Sequence, residues 1–278
     1  MASPSYRDGS GEPLLLLHGF TNDWQSWKPV LPALAERFAV FAPTLPGHFG
    51  AELWTVEMPL SIPAMTDALE RQLDQEGIER AHLVGNSLGG WLGLELAARG
   101  RALSVTGLCP AGGWEFRSKE ERATYLFFWR SSRVAVPLFR RFFRALAARP
   151  RLRALAMRDV VSRPSQMDAA LALSTMEAAA GCGIAARLLA LTKEGQMFGD
   201  LDAIDCPVTI ATADRDRIFR GPEYFSRFRR MLPDARWVDL GGLGHLPMSD
   251  DPARVVEVIR AGTGQAAERL GAVSLHPH

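Results

Sequence analysis

Cysteine is scarce in this chain: three among 278 residues, Cys109, Cys182 and Cys206, far apart and in no C-x-x-C spacing. That scarcity argues against a disulfide framework and against a cysteine-held zinc site, and it fits a reducing compartment. Net charge is nearly absent as well, +1 at neutral pH, so no global field draws the protein to nucleic acid or to anionic substrates. No apolar run approaches the ~20 residues that a membrane span needs. The first thirteen residues are polar and turn-rich, without a charged-then-apolar signal segment. The expectation is a cytoplasmic protein with no nucleic-acid partner and no stable membrane insertion. With 47% apolar and 23% charged residues, the composition is globular, and the length holds one large α/β domain with an insertion or two small domains.

What is present has a rhythm. Residues 14–17 are four leucines leading into His18-Gly19-Phe20, as in a strand buried on both faces. Residues 27–37 place Val30, Leu31, Leu34, Ala35 and Phe38 at helical spacing. A second apolar run, 38–45, stops at Pro46-Gly47. Residues 62–77 read as a helix with Met65, Leu69 and Leu73 on one face; 81–84 and 104–109 read as buried strands. Past residue 200 come a strand (208–213), a helix (222–232), a strand (237–240) and a helix (252–261), with 262–278 as a frayed tail. Strands alternating with helices through short turns predict a doubly wound, mostly parallel sheet.

Residues 114–199 break that rhythm, with several helical patterns and no strand. They are expected to form a helical cap, residues 114–199, inserted into a core of residues 1–113 and 200–278. Within 114–163, 13 Lys and Arg stand against 4 acids, a strongly basic stretch. Phe139, Phe142, Phe143 and Leu146 fall at i, i+3, i+4 and i+7, with Arg140, Arg141 and Arg144 on other faces. Such a helix suits an anionic membrane surface, or a lid whose apolar face covers a site while its arginines are solvated. The lid is preferred, so no strong lipid binding is expected.

The stretch with chemical content is Gly85-Asn86-Ser87-Leu88-Gly89, between an apolar strand and a helical pattern running from Leu88 to about Arg99. Small-x-Ser-x-small at that junction is the pattern of a nucleophile elbow. A turn so tight strains Ser87 and exposes its hydroxyl, and a Cβ at residue 85 or 89 would strike neighbouring backbone. The N–H of Leu88, at the helix N-terminus, then points where an oxyanion would form. A serine hydroxyl needs a general base. Of the six histidines, His276 and His278 lie in the tail, His82 sits inside a strand, and His18 and His48 lie in turns that shape the site. His245 remains, in a glycine-rich loop between the last strand and the last helix, where open α/β sheets bind ligands. The base needs a carboxylate on its far nitrogen. Asp214 and Asp216 both stand at the end of the 208–213 strand and point to the same side in extended backbone, so periodicity leaves both open.

In order along residues 14–261, His18-Gly19-Phe20, Leu45-Pro46-Gly47-His48, the elbow, the Asp loop and Gly244-His245 together resemble a cap-bearing serine hydrolase of the α/β-hydrolase fold. The similarity is to soluble esterases, C–C bond hydrolases and cofactor-free haloperoxidase-like enzymes. It implies a triad of Ser87, Asp216 and His245, because Ala213, Asp216 and Ile218 match the family's spacing around its acid. It also implies an oxyanion hole of the Phe20 and Leu88 N–H groups, and no cofactor or metal. Gly19, Asn86, Trp114, Phe128 and Trp129 are expected to contact substrate, with Phe127 beside them. Serine at the elbow argues against the dehalogenase and epoxide-hydrolase branches. The implied reaction is cleavage of a small-molecule ester or related acyl bond. C–C bond hydrolysis and perhydrolysis run on the same residues, and a non-catalytic binding module is the remaining alternative. Two departures stand out: Thr44 where the family often has Asp, and no room before Leu14 for the usual opening hairpin, which predicts one or two missing or reduced edge strands. The oligomeric state stays open.

Overall fold

The computed structural model describes the backbone of residues 4–55, 57–194 and 201–273, with side chains except for 192–194 and 265–273. Its centre is a seven-stranded sheet of β1 (Ser5–Asp8), β2 (Glu12–Leu17), β3 (Phe38–Pro43), β4 (Ala81–Asn86), β5 (Ala102–Leu108), β6 (Val208–Thr212) and β7 (Arg236–Asp239). The strand order is β1-β3-β2-β4-β5-β6-β7. All neighbours run parallel except β1, which pairs antiparallel with β3. Leu14, Leu15, Leu16 and Leu17 are all buried, as a parallel strand covered on both faces requires.

Register places one row straight across the sheet. Leu17 pairs with Gly85, Gly85 with Gly107, Gly107 with Ile210, and Ile210 with Trp237. The loops after these strands therefore leave from one edge, the carboxyl edge of the parallel strands, where open α/β sheets form their crevice.

Twelve α-helices occur among the described residues. The core holds α1 (Leu31–Ala35), α2 (Ile62–Gln75) and α3 (Leu88–Ala98). Helix α3 is apolar apart from Glu95 and buried from Leu88 to Ala97, as a helix enclosed by the fold should be. Between β5 and β6 lie α4 (Lys119–Arg130), α5 (Val136–Phe139), α6 (Phe143–Ala148), α7 (Pro150–Met157), α8 (Ala169–Gly181) and α9 (Ala185–Glu194), and no strand among the described residues. Then follow α10 (Ser226–Met231), α11 (Pro247–Asp250) and α12 (Pro252–Val273). Among the described residues no single helix is long and apolar enough to cross a membrane.

Four expectations need correction. An edge strand does precede Leu14: β1 is only four residues long and polar, so its sequence carries no burial signal, yet it covers β3. The helix expected over 27–37 is a 3-10 turn, Trp24–Trp27, and the short α1; Pro29 and Pro32 lack the N–H groups a continuous helix needs. The tail expected from Gly262 continues α12 to Val273. Gly262 is no helix stop: a Cβ there would press on the Thr106 hydroxyl at 2.5 Å, so the glycine lets α12 lie against β5. His276 and His278 lie outside the described residues. Finally, the Phe139–Leu146 row is not one stripe. A 3-10 turn at Arg140–Phe142 separates α5 from α6, and its wider angle per residue turns Phe142 outward while Phe143 is buried.

Candidate active site

Ser87 adopts φ 52° and ψ −114°, a left-handed conformation that costs a non-glycine residue roughly 1–3 kcal/mol. The surroundings enforce it. A Cβ at Gly85 would collide with the Gly89 carbonyl, and one at Gly89 with the Leu17 carbonyl, so β4, α3 and β2 meet backbone to backbone. The Ser87 N–H donates to the Leu108 carbonyl at 3.1 Å, and the Ser87 carbonyl accepts from Gly90, Trp91 and Ala111. Thr21 (φ 61°) and Cys109 (φ 46°), just beyond β2 and β5, share the left-handed region. Strain is thus concentrated at the edge where the loops converge.

Asp216 and His245 meet there. The His245 Nδ1–H donates to Asp216 Oδ2 at 2.6 Å. Asp216 Oδ1 accepts the N–H groups of Ile218 (2.7 Å) and Phe219 (2.9 Å), which fixes the carboxylate plane. The Phe219 ring stands edge-on to the imidazole, 4.7 Å between centroids. Asp214 is used differently: its carboxylate accepts the Gly242 N–H at 2.5 Å and latches the loop leading to His245. The alternation that left the two acids equivalent ends with β6 at Thr212, and the turn beyond it points them apart. With Nδ1 engaged, Nε2 is the imidazole nitrogen left for a hydroxyl proton. Ser87 and His245 line one cavity of about 390 Å³.

Two further side chains brace this pair, and the sequence reading missed both. Cys109, one residue past β5, sits fully buried beside Asp216; burial and the neighbouring carboxylate push the thiol well above its ordinary pKa, so it stays neutral. Its place at the carboxyl end of β5, the strand beside the elbow strand, was the available signal. Cys109, Asp216 and His245 bring candidate ligand atoms within 4.8 Å of one another, but the Asp216–His245 contact is a direct hydrogen bond with no space for an ion between them. Asp250 accepts from the N–H groups of Ser162 (2.8 Å), Arg163 (3.1 Å) and Gly244 (2.7 Å). The Leu246 N–H donates to the Val160 carbonyl at 2.8 Å. Both neighbours of His245 are therefore tied to the insertion. Asp250→Ala is expected to cost about 2–4 kcal/mol by thermal unfolding, since charge-assisted hydrogen bonds contribute ~1.5–3 kcal/mol each. It should also lower kcat about tenfold through a misplaced imidazole; Asp250→Asn keeps an acceptor and should lose less.

Asn86, expected at the substrate, is also a brace in part. It lines the cavity, but its Nδ2 donates to the carbonyls of Leu108 (3.0 Å) and His245 (2.9 Å), joining the elbow to the histidine loop. Gly19 and Phe20 line the same cavity. Among the described residues the N–H groups of Phe20 and Leu88 have no hydrogen-bond partner, and Leu88 opens α3, at the positive end of its dipole. Phe127 and Phe128 of α4 face the cavity. Trp114 is buried against Trp91 and Phe219 in a second, smaller cavity of about 70 Å³ that also reaches Ser87. Trp129 is not brought to either cavity. It is 41% exposed, because on α4 it lies about 100° round from Phe128 and shares the outer face with Leu126.

The turn histidines are structural. His18 Nε2 accepts the Leu45 N–H at 2.8 Å while Nδ1 bonds the Gly19 carbonyl, holding the Phe20 loop to the Leu45 loop. His48 is buried edge-on to His18 and Phe20, its Nε2 has no partner among the described residues, and burial lowers its pKa from the ordinary 6.5 to about 4. Above pH 6.5 it is neutral folded or unfolded, so its titration adds no pH dependence there. Between pH 6.5 and 4 the unfolded chain takes up a proton that the folded one refuses, so stability falls, by about 3 kcal/mol in all. His18, shifted down by burial and by His48, acts in the same direction. Thermal unfolding against pH should show this acid limb, and His48→Phe should flatten it.

The class these features define is that of the α/β hydrolases, hydrolytic enzymes built on such a sheet. The chain belongs to the Alpha/beta hydrolase family, whose model matches residues 14–258. It is 33% identical over 201 residues to the epoxide hydrolase EphH of Mycobacterium tuberculosis (strain ATCC 25618 / H37Rv), covering 72% of this chain and 94% of that protein. Solved structures that share the fold include the following two. The meta-cleavage product hydrolase of Pseudomonas fluorescens IP01 has a TM-score of 0.70 at 17% identity, covering 95% of this chain and 94% of that one. A thermophilic esterase of Thermogutta terrifontis has a TM-score of 0.64 at 21% identity, covering 94% and 93%.

Proposed function

We propose that this hydrolase is a serine enzyme that cleaves a carboxylic ester or related acyl bond by way of an acyl-enzyme. The observation that carries the reading is the 2.6 Å bond from His245 Nδ1 to Asp216, which leaves the other imidazole nitrogen for Ser87 in the cavity they share. Ser87 Oγ attacks the carbonyl carbon as His245 takes its proton. Asp216 holds the tautomer and stabilises the imidazolium. The N–H groups of Phe20 and Leu88 receive the oxyanion, each contributing on the order of 3 kcal/mol to the transition state. His245 returns the proton to the leaving oxygen, and water on the same base releases the acid. Helices α4–α9 act as a cap over the cavity.

Ser87 sets the chemistry of this chain apart from epoxide opening. A serine oxygen that opened an epoxide would form an ether, which has no carbonyl for water to attack. A serine that attacks an acyl carbon forms an ester, which water cleaves. Acyl chemistry is therefore the reaction that Ser87 can complete. C–C bond cleavage and perhydrolysis would use the same three residues, and substrate assays separate them from ester cleavage. The direct test is a fluorophosphonate probe with the modified residue mapped. Modification of Ser87 supports the reading; an active protein modified elsewhere, or not at all, overturns it.

A further inference from the structure

The two cavities meet at Ser87, and what lines each one assigns the two halves of the substrate. The larger, about 390 Å³, holds His245 and Leu246. The smaller, about 70 Å³, holds Leu88 but not His245, and is walled by Trp91, Trp114, Leu188, Leu189 and Phe219. Among the described residues, Phe20, Ser87 and Phe128 alone line both. The tetrahedral carbon carries four groups: Ser87 Oγ, the oxyanion, the leaving oxygen and the acyl chain. The oxyanion points to the Phe20 and Leu88 N–H groups. The leaving oxygen must be within reach of His245, which protonates it, so its substituent extends into the cavity that His245 lines. The acyl chain takes the direction that is left.

From this we infer that the enzyme is selective for short acyl groups, of about two to four carbons, on bulky apolar alcohols; the inference rests on the acyl-enzyme reading above. At roughly 30 Å³ per water-sized group, the small cavity admits about two such groups, and the large one on the order of a dozen. The small walls are unyielding. Trp114 packs edge-on to Trp91 at 6.4 Å and to Phe219 at 5.4 Å, and Trp91 Nε1 donates to the buried Glu95 at 3.3 Å. The large cavity is lined by residues of α5–α8, among them Phe139 and Leu155, 46% and 61% exposed. In the reaction the Ser87 Oγ–acyl bond forms as the bond to the alcohol oxygen breaks. The Ser87 proton leaves on the alcohol through His245, and water then releases a short carboxylic acid.

Octyl acetate and methyl nonanoate test this, because they are isomers that differ only in which side of the ester carries the long chain. Wild-type protein is expected to cleave octyl acetate with kcat/KM at least about 100-fold higher, the discrimination available when a rigid pocket excludes added methylenes. Leu189→Ala should raise kcat/KM for octyl hexanoate relative to octyl acetate about tenfold. Trp114→Phe, which keeps the ring cluster, should move the same ratio in the same direction and serves if Leu189→Ala does not fold. Equal or reversed preference between the isomers, in protein whose Ser87 takes the fluorophosphonate, overturns the assignment and leaves the serine-hydrolase reading standing. Labelled protein that cleaves neither isomer also overturns the assignment. Protein that cleaves neither and does not label overturns both.

Discussion

Ser87→Ala is expected to abolish turnover, lowering kcat by on the order of 10⁵ to 10⁶-fold, with folding intact. The loss is large because the hydroxyl is the group that bonds to substrate; the oxyanion donors and the imidazole cannot replace it with water held in the same place. The side chain is small and its neighbours are held by backbone bonds, among them Ser87 N–H to Leu108 and the Ser87 carbonyl to Ala111, so the structure should survive. A second substitution separates chemistry from strain. Ser87→Gly relieves the φ of 52° and should be more stable than Ser87→Ala by about 1 kcal/mol, while equally inactive. Rates on a short-chain aryl ester, together with thermal unfolding of all three proteins, check both statements. Wild-type turnover in Ser87→Ala would place the chemistry elsewhere.

Asp216→Asn is expected to lower kcat about 10⁴-fold, and the reason is local. Oδ1 of Asp216 is held by the N–H groups of Ile218 and Phe219. An asparagine must give its carbonyl oxygen to those two donors, which turns its NH2 toward His245 Nδ1. That nitrogen must then accept rather than donate, so the proton moves to Nε2 and the base faces Ser87 in the wrong tautomer. Asp214→Asn keeps an acceptor for the Gly242 N–H and should change kcat less than about threefold. A reversal of these two effects would make Asp214 the orienting acid. Because the amide that replaces the Asp216 carboxylate is expected to fit without disturbing the backbone, the loss should appear in kcat with KM little changed.

Much of this architecture is legible in the sequence. The four leucines at 14–17, the apolar runs into Ser87 and from 208, and the helices at 62 and 88 all carry a one-dimensional signal: the spacing of apolar side chains and the glycines and prolines that stop it. The left-handed turn at Ser87 was readable for the same reason, since Gly85 and Gly89 answer a steric demand within five residues. Less visible was whatever depends on a partner distant in the chain. Strand β1 is polar and is made a strand by β3, and Gly262 reads as a helix stop unless Thr106 is known to lie beneath it.

The division follows from the range of the forces. Periodicity and turn chemistry act over a few residues, so the chain alone dictated the alternating strands and helices, the elbow and the short roll of candidate acids and bases. The choice of Asp216 over Asp214 as the partner of His245, the thiol of Cys109 behind it, the strap from Asp250 to residues 162–163, and the unequal cavities on either side of Ser87 depend on groups that the β4–β5–β6–β7 register and the loops beyond it bring together. Hydrogen bonds under 3 Å and cavity walls are properties of neighbours in space, and tertiary packing alone makes neighbours of residues distant in the chain.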